Sequence, residues 1–175
     1  MKTNLCVLAV MALVIWGMKR HYADAQADDL WWILTPTTRV VGAMTGATFV
    51  PVPSEGHVSH ERLFVIEKSC AGINFLVAAF AMLVLALFHR VGSGLSGLCV
   101  LGASLLTSYG AAIFVNATRI TIAMWLADRP YALSTFTSSQ VHRLEGILVY
   151  FAGLVLLCEV ARRVERRAGL AGRTS

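Results

Sequence analysis

Five apolar stretches, each bounded by charge or by turn-forming residues, divide the chain. The first, residues 5–18, follows Lys2 and stops at Lys19-Arg20-His21. A weaker second stretch, 30–48, contains Pro36, Arg39 and several threonines, and its Trp31 and Trp32 suit the polar edge of a bilayer. Residues 71–88 carry no charge and span about 27 Å if helical, close to the thickness of a hydrocarbon core. They stop at His89-Arg90, and Gly92-Ser93-Gly94 then reverses the chain into an uncharged fourth stretch, 93–115. The fifth, 144–160, runs into Arg162, Arg163, Arg166 and Arg167. This pattern predicts an all-α integral membrane protein, a multi-span helical bundle of about five membrane segments forming one membrane domain, 1–175.

Between the second and third stretches the period changes. Phe49-Val50-Pro51-Val52 and Leu63-Phe64-Val65-Ile66 alternate around Ser54-Glu55-Gly56, which predicts two short strands paired as a β-hairpin over about 49–67. Open strands leave backbone groups unmet in hydrocarbon, so the hairpin belongs outside the bilayer, on the extracytoplasmic side. Residues 118–127 are too short to cross and end at Asp128-Arg129-Pro130, which predicts an interfacial helix. At the N-terminus, a basic start, an apolar run and Ala23-Asp24-Ala25 resemble a cleavable secretory signal. Charges directly after the apolar run disfavour processing, and the segment is read as a retained span.

Composition narrows the class. At 57% hydrophobic and 14% charged residues, with a mean hydropathy of +0.66, the 175-residue chain is too apolar for an ordinary soluble domain. The net charge of +5 is concentrated in the arginines after the last span. The positive-inside rule makes that tail a cytoplasmic anchor rather than a nucleic-acid patch. Of four cysteines, Cys6, Cys99 and Cys158 lie inside apolar runs, which argues against a disulfide framework. There is no phosphate-binding glycine loop and no clustered metal ligands, so no cofactor or metal is expected.

Cys70 differs from the other three, because Glu67-Lys68-Ser69-Cys70 places it at the water-facing mouth of the third stretch. The start of a helix offers unpaired N–H groups and the positive end of the macrodipole, surroundings that suit an anionic sulfur. With the arginine tail cytoplasmic, counting crossings backwards puts His142, Arg119 and Cys70 all on the outer face. Histidine can move the proton of a thiol or of a leaving amine. Arginine can hold developing negative charge. The bland readings are a small residue at a membrane boundary, a snorkelling anchor and a structural interfacial histidine.

Cys70-Ala71-Gly72-Ile73 before one span, Asn116-Ala117-Thr118-Arg119-Ile120 after the next, and His142 with Gly146 opening the last resemble the three signature blocks of the exosortase/archaeosortase family. The resemblance covers about 37–160, and the small size is similar to short bacterial members such as the exosortase K type. Ala71 departs from it, since serine is the more frequent neighbour there. The resemblance implies a cysteine transpeptidase or protease, a hydrolase acting in protein sorting at the cell envelope. It implies residence in the bacterial inner membrane with the active site extracytoplasmic. Its partner would be an exported protein ending in a short motif, a transmembrane helix and a basic tail. Cys70 would be the thioester-forming nucleophile, Arg119 the charge-stabilising group, His142 the acid/base, and Asn116 an orienting or substrate-binding residue. The rival classes are a non-catalytic multi-span subunit or scaffold, a thiol redox protein, which would want a second cysteine near Cys70, and a purely hydrolytic protease.

Overall fold

The structure is a computed structural model that describes residues 2–127 and 138–171, with side chains described for 2–127 and 143–166. Five α-helices occur among them: α1 (Lys2–Asp24), α2 (Trp31–Thr45), α3 (Ile73–Ala86), α4 (Gly94–Ala127) and α5 (Ser138–Ala171). Three strands, β1 (Val50–Val52), β2 (Gly56–Ser59) and β3 (Phe64–Ile66), lie between α2 and α3. Short 3-10 turns precede α2, α3 and α4 at Asp28–Leu30, Lys68–Cys70 and Phe88–Arg90.

Among the described residues, four segments are long and apolar enough to cross a membrane: Lys2–Asp24, Lys68–Ala86, Gly94–Ala127 and Arg143–Arg166. Their ends fix their directions. Near the start of α1, Val7 packs so closely on Gly97, at the start of α4, that a Cβ there would meet Val7 Cγ2 at 2.7 Å. At the far end of α1, the Lys19 ammonium donates to Asn74 Oδ1 at 2.8 Å, beside the start of α3. His89 and Arg90, between α3 and α4, lie 3.3 and 3.5 Å from Glu165 near the end of α5. Thus α1 and α4 run one way, and α3 and α5 the other. The Cys70 turn is at the end opposite the arginines in the last turns of α5.

The expected second crossing, 30–48, is replaced by the 15-residue α2, only about 22 Å long. Its Trp32 carbonyl accepts from Tyr109 at 2.5 Å, and Met44 Sδ accepts from Thr121 at 3.7 Å. α2 therefore lies parallel to the second half of α4 and covers the half of the bundle nearest Cys70. The Tyr109 bond has a local cause. Pro36 has no N–H, so the carbonyl four residues earlier loses its helical donor, and inside an apolar bundle another donor must be found. The Tyr109 hydroxyl supplies it, and its ring stacks on Trp32 with centroids 6.0 Å apart.

Two other expectations change. Residues 118–127 are not a separate interfacial helix but the last turns of α4, which is unbroken over 34 residues. No glycine or proline occurs in 116–127 to stop it, and Arg119 turns into the bundle instead of ending the apolar run. The expected two-stranded hairpin is a three-stranded antiparallel sheet in the order β1-β2-β3. Val52 pairs with Gly56 across the predicted turn, and β2 then pairs with β3 through Val58 and Val65. The added strand, Gly56-His57-Val58-Ser59, is too polar to read as a strand, although its Gly56 and Ser59 are buried.

The main core joins α2, the sheet, α3 and α4 through Leu30, Ile33, Leu34, Val41, Ile66, Ala71, Phe75, Leu76 and Ile120. A smaller cluster of Val7, Phe80, Val84 and Leu101 closes the other end. Large apolar side chains also cover the outside: Leu13 and Trp16 on α1, Leu106 and Phe114 on α4, and Ile147, Phe151 and Leu156 on α5 are each more than half exposed. In a bilayer these side chains face lipid, where apolar exposure carries no penalty.

Candidate functional site

Cys70 ends the turn Lys68–Cys70, which is closed by two backbone bonds: Cys70 N donates to Glu67 O at 2.9 Å and Ala71 N to Lys68 O at 3.0 Å. The thiol thus precedes the helix instead of occupying its first turn. Gly72 takes the left-handed conformation, φ 68°, as the residue before α3, and it turns the chain from the sheet into the bundle. Cys70 is half-buried, with Ser69 Oγ 3.8 Å from its sulfur. Ser69 also donates to Glu67 Oε1 at 2.8 Å. A hydroxyl therefore stands beside Cys70 on its N-terminal side, while Ala71 on the other side is fully buried.

The first helix holds this turn from outside. Tyr22 Oη donates to the Lys68 carbonyl at 3.4 Å, Lys68 Nζ donates to the Ala23 carbonyl at 3.1 Å, and the same ammonium sits 5.1 Å from the centre of the Tyr22 ring. Tyr22 is within electrostatic reach of Cys70 and Glu67.

From inside, α4 presents Asn116, fully buried. Its Nδ2 donates a hydrogen bond to the Cys70 carbonyl. This approach requires glycine at position 72, where a Cβ would lie 2.9 Å from Asn116 Cγ. One turn along α4, Arg119 Nη1 donates to Tyr150 Oη at 3.0 Å. Tyr150 Oη donates in turn to Asn116 Oδ1 at 2.8 Å. The guanidinium carbon stands 5.4 Å from the Tyr150 ring centre, within cation–π range, and Phe75 of α3 packs on the same ring at 5.5 Å.

α5 can come this close because of its glycines. A Cβ at Gly146 would meet Arg119 Nε at 3.3 Å, and one at Gly153 would meet Val115 at 2.7 Å and Phe75 at 3.1 Å. Glu145, 9% exposed, is within electrostatic reach of Arg119. Cys70 is within electrostatic reach of both Arg119 and Tyr150.

Of the residues singled out in the sequence, Asn116 bonds to the backbone carbonyl of Cys70 and, through Tyr150, is linked to Arg119. His142 falls within α5, but its side chain lies outside the described residues. Tyr150, Glu145 and Tyr22 join the site although the sequence does not single them out. Glu145 directly precedes Gly146 and Tyr150 follows it by one helical turn, and polarity inside a long apolar helix is the only sign the sequence gives of either. Among the described residues no group of three His, Cys, Asp or Glu side chains is placed to hold a metal ion.

No protein-family model, curated protein or solved structure matches the chain.

Chemically, the arrangement is a half-buried thiol on a backbone-closed turn, within electrostatic reach of a cation that is hydrogen-bonded to a tyrosine. Polar and ionisable side chains are expensive inside a membrane bundle and mark functional positions there more often than in soluble proteins.

Proposed function

We propose that this protein is a membrane-embedded cysteine transpeptidase or peptidase that cleaves a C-terminal sorting signal of exported proteins. The single observation that supports this reading is the bond from Asn116 to the Cys70 carbonyl, continued through Tyr150 to Arg119. It ties together three separate segments: Cys70 belongs to the first block that resembles the exosortase family, Asn116 and Arg119 to the second, and Tyr150 lies on the helix that carries the third.

In the proposed reaction the Cys70 sulfur attacks the carbonyl carbon of the scissile peptide. The C–N bond breaks, a thioester forms, and the departing amine takes a proton. His142 is assigned the transfer of that proton, from the thiol to the amine, by its place in the third block. Arg119 stabilises the negative charge that develops on sulfur or on the carbonyl oxygen. An acceptor amine, or water, then attacks the thioester and releases the thiol. The substrate's own transmembrane helix would pack against the bundle and set the scissile bond at the depth of Cys70. The active site is assigned to the extracytoplasmic face of the bacterial inner membrane, with the arginines at the end of α5 in the cytoplasm.

The test is made in host membranes carrying the wild-type chain or Cys70→Ala. Mass spectrometry of exported proteins follows those that end in an apolar helix and a basic tail. Wild-type cells lose the tail peptides from a defined set of proteins, Cys70→Ala cells retain them, and Cys99→Ala cells match the wild type. Equal processing in wild-type and Cys70→Ala membranes would return the protein to the class of non-catalytic membrane subunits.

A further inference from the structure

We infer that Tyr150 is a positioning residue, whose hydroxyl links the Arg119 cation to the backbone carbonyl of Cys70 through Asn116. The inference rests on the reading of Cys70 as the nucleophile.

The direction of the chain of hydrogen bonds follows from its two ends. Arginine has only donors, and a backbone carbonyl only accepts. Since Arg119 Nη1 occupies a lone pair of Tyr150 Oη, the single hydroxyl proton of Tyr150 is left to point at Asn116, and that side of the amide must be its oxygen. The Asn116 Nδ2 is thereby turned to the Cys70 carbonyl. The amide orientation that an isolated asparagine would leave open is fixed here by chemistry at both ends. Every proton lies on the side toward Cys70, so each bond polarises the next in the same sense.

Asn116 is fully buried, and Phe75 packs on the ring of Tyr150 independently of its hydroxyl. Removing the hydroxyl alone therefore leaves the ring in place and interrupts the relay. Asn116 then loses the partner that orients it, and the Cys70 carbonyl keeps a donor that is able to rotate away. α1 holds the turn from outside through Tyr22 and Ala23, and the Asn116 bond holds the Cys70 carbonyl from the bundle side, where Gly72 follows in a left-handed conformation with no side chain.

The experiment uses the full-length chain with Cys6, Cys99 and Cys158 replaced by alanine, so that cysteine carrying a 13C-labelled carbonyl reports on residue 70 alone. Two quantities are read in membranes: the infrared frequency of the labelled carbonyl and the rate of Cys70 alkylation by iodoacetamide. Tyr150→Phe is expected to raise the carbonyl frequency, as a weakened hydrogen bond does, and to slow alkylation roughly fivefold, the size of about one net hydrogen bond. In an Asn116→Ser background, where the side chain is too short to bridge both partners, Tyr150→Phe is expected to add nothing to either reading. An unchanged frequency and rate in Tyr150→Phe, or effects that add in the double variant, would overturn the relay. If Cys70 of the native chain is alkylated no faster than Cys99, the transpeptidase reading fails. A frequency shift that persists in that case makes the relay a structural tie, which overturns the positioning role.

Discussion

Gly46 and Gly72 form a natural matched pair for testing whether Asn116 holds the Cys70 turn. Both take the left-handed backbone, with φ of 70° and 68°. A Cβ added at Gly46 meets nothing within 4 Å, whereas at Gly72 it lies 2.9 Å from Asn116 Cγ and 3.1 Å from Nδ2. Gly46→Ala therefore incurs the left-handed penalty alone, about 1–2 kcal/mol. Gly72→Ala incurs the same penalty and must also push Asn116 off the Cys70 carbonyl. Leaving those buried groups unmet adds about 1–3 kcal/mol, for a total of roughly 2–5 kcal/mol. Gly17→Ala in α1, where a Cβ also meets nothing within 4 Å, is a control expected to be neutral or stabilising by up to about 1 kcal/mol. The assay is unfolding in mixed micelles by titration with a denaturing detergent, followed by tryptophan fluorescence, with the rate of Cys70 alkylation measured alongside. Gly72→Ala should lose more stability than Gly46→Ala and should alone change the reactivity of Cys70. Equal losses at the two glycines, with reactivity unchanged, would mean that Asn116 yields freely and does not hold the turn.

Two further outcomes follow from groups at the rim. His57 on β2 lies beside Thr35, with Nε2 3.4 Å from its hydroxyl, and burial lowers its pKa below the ordinary 6.5. The folded state therefore binds the proton less readily than the unfolded chain does. The contribution of neutral His57 is complete above pH 6.5 and is lost as pH falls through the folded pKa, so the detergent midpoint of the wild type should fall more steeply than that of His57→Gln between pH 7.5 and 5.5. Parallel slopes would remove His57 from the account. Lys19, Tyr22 and Ala23 all bond to the segment around Cys70, so removal of α1 as a signal peptide would strip one wall from the site. The intact mass of the chain purified from membranes should include α1, and a mass corresponding to cleavage after Ala25 would contradict this packing.

How much of this was legible in the sequence depended on whether a residue's neighbours were local. The stretches 71–88 and 144–160 could be read because apolar length is a one-dimensional signal, and they fall on Lys68–Ala86 and Arg143–Arg166, whereas 93–115 starts with Gly94–Ala127 but stops well short of its end. α2 was overestimated because the same apolar composition serves a core helix as well as a lipid-facing one. Leu30, Ile33, Leu34 and Val41 are fully or almost fully buried against protein, which hydropathy cannot distinguish from burial in lipid. Arg119 misled in the other direction. A charge after an apolar run reads as the end of a span, yet here a tyrosine 31 residues further on receives the guanidinium within the bundle. Nothing around Tyr150 in the sequence indicates that partner. Cys70 stood out because a polar segment delivers it to the mouth of an apolar stretch, and Asn116 and Arg119 because they follow the next one directly, but their being joined is a property of the antiparallel packing of α4 against α3 and α5.

The energetics of the relay explain why it takes this closed form. Helices in a bilayer gain little from burying apolar side chains against one another, since lipid is equally apolar, and packing and interhelical hydrogen bonds contribute much of what holds them together. An isolated Asn116 or Tyr150 hydroxyl would be an unmet polar group among apolar helices, and an isolated Arg119 an uncompensated charge. Joined end to end, the three side chains satisfy one another's hydrogen bonds, with Glu145 within electrostatic reach of the Arg119 charge, and the last donor is directed at a backbone carbonyl of the turn outside α3. The same bonds therefore fasten α4 to α5 and both to the Cys70 turn. The glycines at 72, 146 and 153 supply the close approach that this requires. An arrangement needed only to join helices could have ended on any side-chain acceptor. This one ends on the carbonyl of the residue whose sulfur is the candidate nucleophile, and that termination links the packing of the bundle to the chemistry proposed for it.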